Sequence, residues 1–93
     1  MDKIKCKQGW LYLTDDELVL ERHIVGLATE YIRFPRGEIE RVDARVTAKG
    51  TDTSPEIFHL TVRRRNGEQM DVSMVPRPDY EALMKELGLP VTA

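Results

Sequence analysis

The sequence predicts a mainly β fold: a bent antiparallel sheet or barrel of six or seven strands, capped by one C-terminal α-helix. Apolar and polar residues alternate with a period of two through most of residues 7–75, as in strands that bury one face. From residue 78 to residue 88 the period becomes that of an amphipathic helix. No internal repeat or linker divides the chain, so we expect a single domain over residues 1–93.

The composition favours a folded domain and argues against nucleic-acid binding. Apolar residues make up 41% of the chain and charged residues 32%, a balance that supports a buried core. The 14 Lys and Arg residues are outnumbered by 16 Asp and Glu residues, which gives a net charge of −2. Non-specific binding to nucleic acid requires an excess of positive charge, so we expect no nucleic-acid partner.

The N-terminal residues and the cysteine usage predict a cytoplasmic location. The stretch MDKIKCKQ lacks the apolar centre of a secretory signal, and no segment approaches the roughly 20 apolar residues that span a bilayer. The single cysteine, Cys6, allows neither an internal disulfide nor a Cys–His metal framework. Peripheral attachment at the inner membrane face is the alternative that the sequence leaves open.

A first hairpin is predicted in the stretch GWLYLTDDELVL. If Leu13 pairs with Leu18, the four leucines of this stretch share one face. This register leaves residues 14–17 as a four-residue loop, a common length built around a type I turn. Thr and Asp suit such a loop because their side chains bond nearby backbone N–H groups. We therefore interpret the three acids as turn residues rather than as a cation site, which would need more oxygen ligands.

Two further strands are predicted in the middle of the chain. Residues 31–34 and 39–46 alternate around the turn residues PRGE. Ile39 and Val42 are three residues apart, which breaks the alternation, and one extra residue in a β-bulge would restore it. Residues 47–55 are predicted to form a long polar loop.

The second hairpin is predicted in EIFHLTVRRRNGEQMDVSMV. A two-residue Asn-Gly turn would pair Val62 with Asp71 and place an apolar residue against a charged one. A three-residue loop over residues 65–67, with Gly67 in the left-handed conformation, resolves the conflict. It predicts three apolar pairs: Val62 with Met70, Leu60 with Val72 and Phe58 with Met74.

The C-terminal helix is predicted from one apolar stripe and a stop signal. Pro78 suits the first turn of a helix, and Gly88 suits the left-handed position just after its end. The stripe must dock on the sheet because it carries large apolar side chains at helical spacing. Its members are Tyr80, Leu83, Met84 and Leu87.

This order of elements and two short motifs resemble the pleckstrin-homology-like superfold, and most closely its GRAM and bacterial PH-like branches. The first motif is carried by Gly9, Leu11, Leu13, Thr14, Asp15, Leu18 and Leu20, and the second by Phe34, Pro35, Ile39 and Val42. The resemblance implies a bent barrel capped by the C-terminal helix. It also implies binding rather than catalysis, with phosphoinositide head groups as ligands in some members and peptides or proteins in others. The lipid-binding members place Lys and Arg around the first hairpin loop, whereas this chain has acids there.

The sequence carries no pattern that predicts an enzyme, and we expect no catalytic residue, metal or cofactor. His23 and His59 lie in separate predicted strands, without the spacing of a Ser-His-Asp or Cys-His constellation. Cys6 stands between Lys5 and Lys7, which could lower its pKa. We favour the interpretation that Cys6 is a small buried strand residue, since free cysteines are commonly buried.

A candidate protein interface lies on the second face of the first hairpin. Trp10, Tyr12 and Val19 share this face, opposite the leucines. An apolar and aromatic outer face commonly marks an interface. The alternative is that residues 1–7 or the loop 47–55 cover it, and the two explanations remain open at this point.

A candidate anion site lies at the tip of the second hairpin. Alternation points Arg63 and Arg65 to one side of the strand and Arg64 to the core side, where Glu68 can pair with it. Arg22 is the third member of the candidate site. The alternative is an ordinary solvated hairpin tip.

The sequence therefore supports three functions in order. The first is a non-catalytic interaction module that binds a protein partner, or a second copy of itself, through a barrel face or sheet edge. The second is a peripheral module that binds anionic lipid such as phosphoinositide. The third is a small inhibitor or immunity-type protein that blocks a basic enzyme with its acidic loop.

Overall fold

The computed structural model describes residues 1–26 and 28–93, which form two antiparallel sheets followed by a helix. Sheet A has the strand order β1-β2-β3-β4, and sheet B has the order β5-β6-β7. The mainly β class with a C-terminal helix is therefore confirmed. The elements are β1 (Ile4–Lys5), β2 (Gly9–Leu13), β3 (Glu17–Arg22), β4 (Glu30–Pro35), a 3-10 turn (Arg36–Glu38), β5 (Ile39–Ala48), β6 (Ile57–Arg64), β7 (Gln69–Pro76) and α1 (Arg77–Leu87).

The sequence predicts a bent sheet or a barrel, and the barrel that the resemblance implies is not formed by the described residues, since the sheets form separate ladders. At the edge where β1 and β7 approach each other, β1 has two residues and is too short to form a continuous ladder. The backbone N–H of Lys7 donates to the carbonyl of Ser73 at 2.9 Å, which joins the sheets at one point of this edge. The fold is thus a pair of stacked open sheets whose faces and edges remain distinct.

The core lies between the inner faces of the two sheets and under the helix. Each large side chain buried there contributes roughly 1.5–3 kcal/mol before the loss of conformational entropy. The rings of Phe58 in sheet B and Tyr80 in α1 lie 5.0 Å apart at 40°, which fixes the helix against the sheet. Sheet A contributes Leu11, Leu18, Leu20 and Phe34, sheet B contributes Phe58, Leu60, Val62, Met70, Val72 and Val75, and the helix contributes Tyr80, Leu83 and Met84.

The predicted register of the first hairpin is confirmed. Leu13 lies opposite Leu18, and the other two leucines of the hairpin also face each other. Thr14 builds the turn, because its hydroxyl oxygen accepts hydrogen bonds from the N–H groups of Asp16 at 3.3 Å and Glu17 at 3.0 Å. The predicted bulge in β5 is confirmed as well, as a register shift between Ile39 and Arg41. Of the six or seven strands predicted, the seventh is present near the N-terminus as β1.

The second hairpin is confirmed at its turn and wrong at its far end. Gly67 has a φ of 93° and donates its N–H to the carbonyl of Arg64 at 2.9 Å, as the three-residue loop requires. Phe58, however, pairs with Val75 instead of Met74, because β7 contains a register shift after Val72. Met74 has a φ of 62° and is 59% exposed, whereas Val75 is fully buried. The bulge turns the strand so that the residue just before Pro76 reaches the core.

The predicted helix stop and apolar stripe are confirmed. Gly88 takes the left-handed conformation with a φ of 70°, and its N–H donates to the carbonyl of Lys85 at 3.1 Å. At the start of the helix the guanidinium of Arg77 bonds the carboxylate of Glu56 at 2.7 Å and lies 4.9 Å from the centre of the Phe58 ring. The hydrogen bond to Glu56 raises the pKa of Arg77. None of the helices in the described part of the chain is long and apolar enough to cross a membrane.

Gly9 is the glycine at which the fold leaves no room for a side chain. Its φ is 148°, and a Cβ there would overlap the carbonyl of Glu21 and the ring of His23. We expect Gly9→Ala to lower the free energy of unfolding by more than about 1 kcal/mol, because β2 and β3 would have to separate. Urea unfolding measures the change. Gly37→Ala is the matched control, since a Cβ at Gly37 has open space. Equal stability of the two variants would contradict the close approach.

The register shift in β7 predicts unequal effects at two neighbouring positions. Val75→Ala should destabilise the domain by about 2 kcal/mol, since it leaves a cavity in the core. Met74→Ala should change stability by less than about 0.5 kcal/mol, because the side chain is exposed. Thermal or urea unfolding of both variants tests the shift. A larger loss of stability in Met74→Ala than in Val75→Ala would contradict the register shift and support the regular alternation that the sequence predicts.

Candidate protein interface

The outer face of sheet A is the side of that sheet turned away from the core. Its centre consists of Trp10, Tyr12, Val19, Tyr31 and Arg33, which alternate along β2, β3 and β4 with the buried residues. The helix contributes its buried side chains to the core on the opposite side of sheet A. The outer face is therefore left without a covering helix or sheet, within the residues that the structure describes.

Two cross-strand rows order this face. Trp10 lies opposite Glu21, which lies opposite Tyr31. In the next row Tyr12 lies opposite Val19, which lies opposite Arg33. Neighbours within a row are close enough for their side chains to pack together.

Val19 is fully buried, although it does not belong to the core between the sheets. The longer side chains on either side of it in its row, Tyr12 and Arg33, flank it on the outer face. The expectation that Val19 itself presents a contact surface is therefore wrong. Trp10 and Tyr12 are half-buried and keep part of their surface accessible.

Long charged side chains cover part of the aromatic surface. The ammonium of Lys3 lies 4.6 Å from the centre of the Tyr12 ring, and the guanidinium of Arg33 lies 5.3 Å from that of Tyr31. Such contacts contribute roughly 0.5–1 kcal/mol at exposed sites. The sequence left open whether this face is an interface or is covered by other parts of the chain. Residues 1–7 cover part of it, through Lys3. The polar loop predicted at 47–55 is found at residues 49–56, where it joins β5 to β6 in the other sheet.

Ion pairs surround the aromatic centre. Lys3 pairs with Glu21 at 3.7 Å, and Arg33 pairs with Glu17 at 3.5 Å. His23 Nε2 lies 2.8 Å from the same Glu21 carboxylate. Exposed pairs of this kind contribute little to stability, about 0–1 kcal/mol. With Tyr31 49% exposed, the face has the aromatic centre and polar rim that are typical of protein interfaces.

The three arginines of the candidate anion site lie in different environments. Arg22 at the end of β3 pairs with Glu30 at 3.7 Å. Arg63 lies opposite Arg41 on the outer face of sheet B, and its Nε is buried without a hydrogen-bond partner in the described part of the chain. Arg65 lies in the exposed hairpin loop. The structure therefore provides no single cluster of the three.

The core-side orientation of Arg64 is confirmed. Its guanidinium lies 5.8 Å from the centre of the Phe34 ring and pairs with Glu38 at 3.2 Å and with Glu68 at 3.5 Å. The backbone N–H of Arg65 donates to the carbonyl of Glu38 at 2.8 Å. These contacts fix the base of the hairpin loop to the start of β5.

A polar network on sheet B was missed by the sequence analysis. His59 Nδ1 lies 2.9 Å from the hydroxyl of Ser73, and His59 Nε2 lies 3.2 Å from the carboxylate of Asp71. The hydroxyl of Thr61 donates to the same Asp71 oxygen at 2.9 Å. Gln8 extends the network, since its side-chain oxygen accepts the N–H of Ser73 at 3.0 Å. The residues meet through the cross-strand register of β6 and β7, which no spacing motif reveals.

The direction of the hydrogen bonds in this network follows from the chemistry of its members. An ionised carboxylate only accepts, so Nε2 of His59 donates to Asp71. In neutral histidine Nδ1 then accepts, and the Ser73 hydroxyl donates to it. The contacts run from serine to histidine to aspartate as in acyl-transfer sites, but the ring nitrogens are exchanged, because in those sites serine bonds Nε2 and the carboxylate bonds Nδ1. Here the network also ties the turn between β1 and β2 to sheet B through Gln8.

Searches of protein-family models, curated proteins and solved structures find no match to this chain. A function must therefore be argued from the described surfaces themselves, and two of them have features that suit binding. One is the aromatic outer face of sheet A, with its rim of ion pairs. The other is the edge of β7, beside the network of Ser73 and Gln8.

Cys6 is buried, and burial raises the pKa of its thiol. The alternative of a thiol with a lowered pKa beside two lysines is therefore wrong. We expect Cys6 to react slowly with Ellman's reagent in the native protein at neutral pH, because the thiol is both shielded and protonated. Unfolding in guanidinium should increase the rate by about a hundredfold or more. A native rate close to the unfolded one would contradict this burial.

Proposed function

We propose that this protein is a non-catalytic interaction module of the PH-like type, which binds a protein partner through the outer face of sheet A. The observation that carries the proposal is the partly exposed aromatic surface of Trp10, Tyr12 and Tyr31, ringed by ion pairs. Aromatic residues dominate the binding energy of protein interfaces, and a polar rim excludes water around them. A protein surface of matching shape and charge is the occupant that suits such a face.

The order of elements supports the PH-like part of the proposal. In the described part of the chain, seven strands precede one C-terminal helix, and that helix packs on the core. Two residues of the first motif have structural roles, since Gly9 begins β2 and Thr14 accepts a backbone hydrogen bond in the first turn. The sheets differ from the expected barrel in being open, which leaves more edge for binding.

Charge distribution favours a protein over an anionic lipid as the partner. The first hairpin loop carries Asp15 and Asp16, both exposed, which would repel a phosphorylated head group. Arg64 is already paired with Glu38 on the core side of sheet B, and Arg22 lies in the other sheet. A lipid surface would need several of these cations to face the same way.

The non-catalytic part of the proposal has support in the polar network. His59, Asp71 and Ser73 lie on the outer side of an open sheet, where solvent competes for hydrogen bonds. The amide of Gln8 lies 3.4 Å from the Ser73 hydroxyl and donates to that oxygen. We interpret the network as a structural link between the two sheets.

A pair of face variants tests the proposal. Tyr31→Glu and Trp10→Glu should weaken the complex with a captured protein, or with a second copy, by about thirtyfold, which corresponds to the roughly 2 kcal/mol of an aromatic hot spot. Affinity capture with quantitative mass spectrometry identifies the partner, and sedimentation equilibrium measures self-association. Val46→Glu is the matched control, since Val46 is 42% exposed on β5 of the other sheet.

Three results would contradict the proposal. Equal capture by the wild type, the face variants and the control would exclude the outer face of sheet A. Flotation with phosphoinositide vesicles that salt abolishes and that Arg63→Glu removes would favour the lipid alternative. A tight complex with one basic enzyme that depends on Asp15 and Asp16 would favour the inhibitor alternative. If Trp10→Glu unfolds the domain, Tyr31→Glu alone decides, because Tyr31 is half exposed.

A further inference from the structure

The free edge of β7 presents backbone groups that the fold leaves unused. In an antiparallel ladder, residues alternate between pointing both backbone groups at the partner strand and pointing both away from it. Arg64 donates its N–H to the carbonyl of Glu68 at 2.8 Å, which makes these two a hydrogen-bonded pair. Because the two kinds of pair alternate along the register, Gln69 and Asp71 belong to pairs without hydrogen bonds between β6 and β7. Their N–H and C=O groups point away from β6.

Ser73 shows independently which way these groups point. It lies two residues beyond Asp71 in β7 and therefore has the same orientation. Its carbonyl accepts the N–H of Lys7 at 2.9 Å, and its N–H donates to the side-chain oxygen of Gln8 at 3.0 Å. At Ser73, the backbone of Lys7 and the side chain of Gln8 therefore make the two hydrogen bonds that a neighbouring strand would make.

Beyond Gln8 this pairing stops and a cavity begins. It has a volume of about 290 Å³ and lies between the edge of β7 and the inner side of sheet A. The N–H and C=O groups of Gln69 and Asp71 have no hydrogen-bond partner within the described ranges. We call this cavity the β7 seam; it is lined by Gln8, Leu20, Arg22, Ile32, Gln69, Met70 and Asp71.

The side chains around the β7 seam divide into an apolar floor and a polar wall. Leu20, Ile32 and Met70 form the floor. Arg22 stands at the wall, where its ion pair with Glu30 is loose at 3.7 Å and both side chains are about half exposed. A carboxylate from a ligand could therefore replace or join Glu30 at Arg22 without first breaking a buried pair.

The polar network keeps the edge of the β7 seam free. The carboxylate of Asp71 accepts hydrogen bonds from His59 and Thr61 on the outer face of sheet B. These bonds hold it on that face, so it is kept from folding back onto its own backbone. Asp71 thus offers one backbone donor and one backbone acceptor side by side, which is the pattern that a peptide backbone complements.

We propose that the β7 seam binds a short extended peptide segment, which pairs with Asp71 as an added strand. An aliphatic side chain of the segment lies on the floor, and an acidic side chain two residues away on the same face reaches Arg22. The volume, near the lower end of the roughly 300–1,000 Å³ of ligand pockets, limits the segment to a few residues. This site is separate from the outer face of sheet A, so it does not rest on the function proposed above.

Two capped peptides test the proposal in both strand directions, Ac-Ser-Leu-Ser-Glu-Ser-NH2 and Ac-Ser-Glu-Ser-Leu-Ser-NH2. Nuclear magnetic resonance titration of the labelled protein follows the backbone amides. We expect millimolar peptide to slow hydrogen exchange at Gln69 and Asp71 by about tenfold or more, since both N–H groups are otherwise unpaired. Met70 and Val72 should change less, because the ladder with β6 already protects them.

Variants and a modified peptide separate strand pairing from general attraction. Arg22→Glu should weaken binding by about tenfold or more, whereas Arg45→Glu, an exposed arginine on β5, should leave it unchanged. Methylation of the central peptide nitrogen should abolish binding, because it removes the donor that pairs with the carbonyl of Asp71. Tyr31→Glu should bind the peptides normally, which keeps this site distinguishable from the outer face of sheet A.

Three outcomes would overturn the proposal. The first is unchanged exchange at Gln69 and Asp71 with both peptides at millimolar concentration. The second is equal binding of the methylated peptide, which would show that no strand is added. The third is a set of shifts confined to Trp10 and Tyr31, which would assign the peptides to the outer face of sheet A.

Discussion

The structure depends on the burial of two apolar sheet faces against each other. Neither sheet could stay folded alone, since each has one face of Leu, Val, Phe and Met side chains that water would otherwise contact. Phe58 holds the central place in this arrangement. It lies in the core of sheet B, packs against Tyr80 of the helix and supports the guanidinium of Arg77 above its ring. A chain of 93 residues without a disulfide has a modest core. The stability of the fold therefore depends on a strand register that places all of these apolar side chains in that core.

The contacts that fix the corners of the fold follow from this burial. Arg36, in the 3-10 turn between the sheets, donates to the carbonyl of Thr14 at 3.0 Å and to that of Glu86 at 2.7 Å. Its backbone N–H also donates to the carbonyl of Asp16 at 2.8 Å. One residue therefore joins the first hairpin loop, the turn and the end of the helix. Gln8 has the corresponding role at the opposite side, where it joins the turn after β1 to Ser73. Both corners use side chains to satisfy backbone groups that a closed barrel would pair within a ladder.

An open pair of sheets has consequences for binding that a closed barrel would not have. Closure removes edges, whereas here the edge of β7 is satisfied at Ser73 and unsatisfied at Asp71. The outer face of sheet A is likewise uncovered, and long side chains such as Lys3 and Arg33 shield its aromatic rings only in part. Fully exposed, these rings would favour aggregation, and fully covered they could bind nothing. The observed arrangement lies between these two extremes, with the rings of Tyr12 and Tyr31 partly shielded.

The sequence by itself determined the local elements, because the signals that specify them are local. Alternation and turn chemistry were enough to predict the register at Leu13 and Leu18, the loop ending at Gly67 and the helix stop at Gly88. Only the tertiary structure decided what covers each face. Met74 and Val75 are both apolar, so no pattern shows which of them reaches the core, and the bulge in β7 decides it. The burial of Val19, the meeting of His59 with Ser73 and the free backbone of Asp71 depend equally on neighbours that are distant in the chain. Periodicity gives the side of a sheet on which a residue lies, whereas its environment depends on how the two sheets pack.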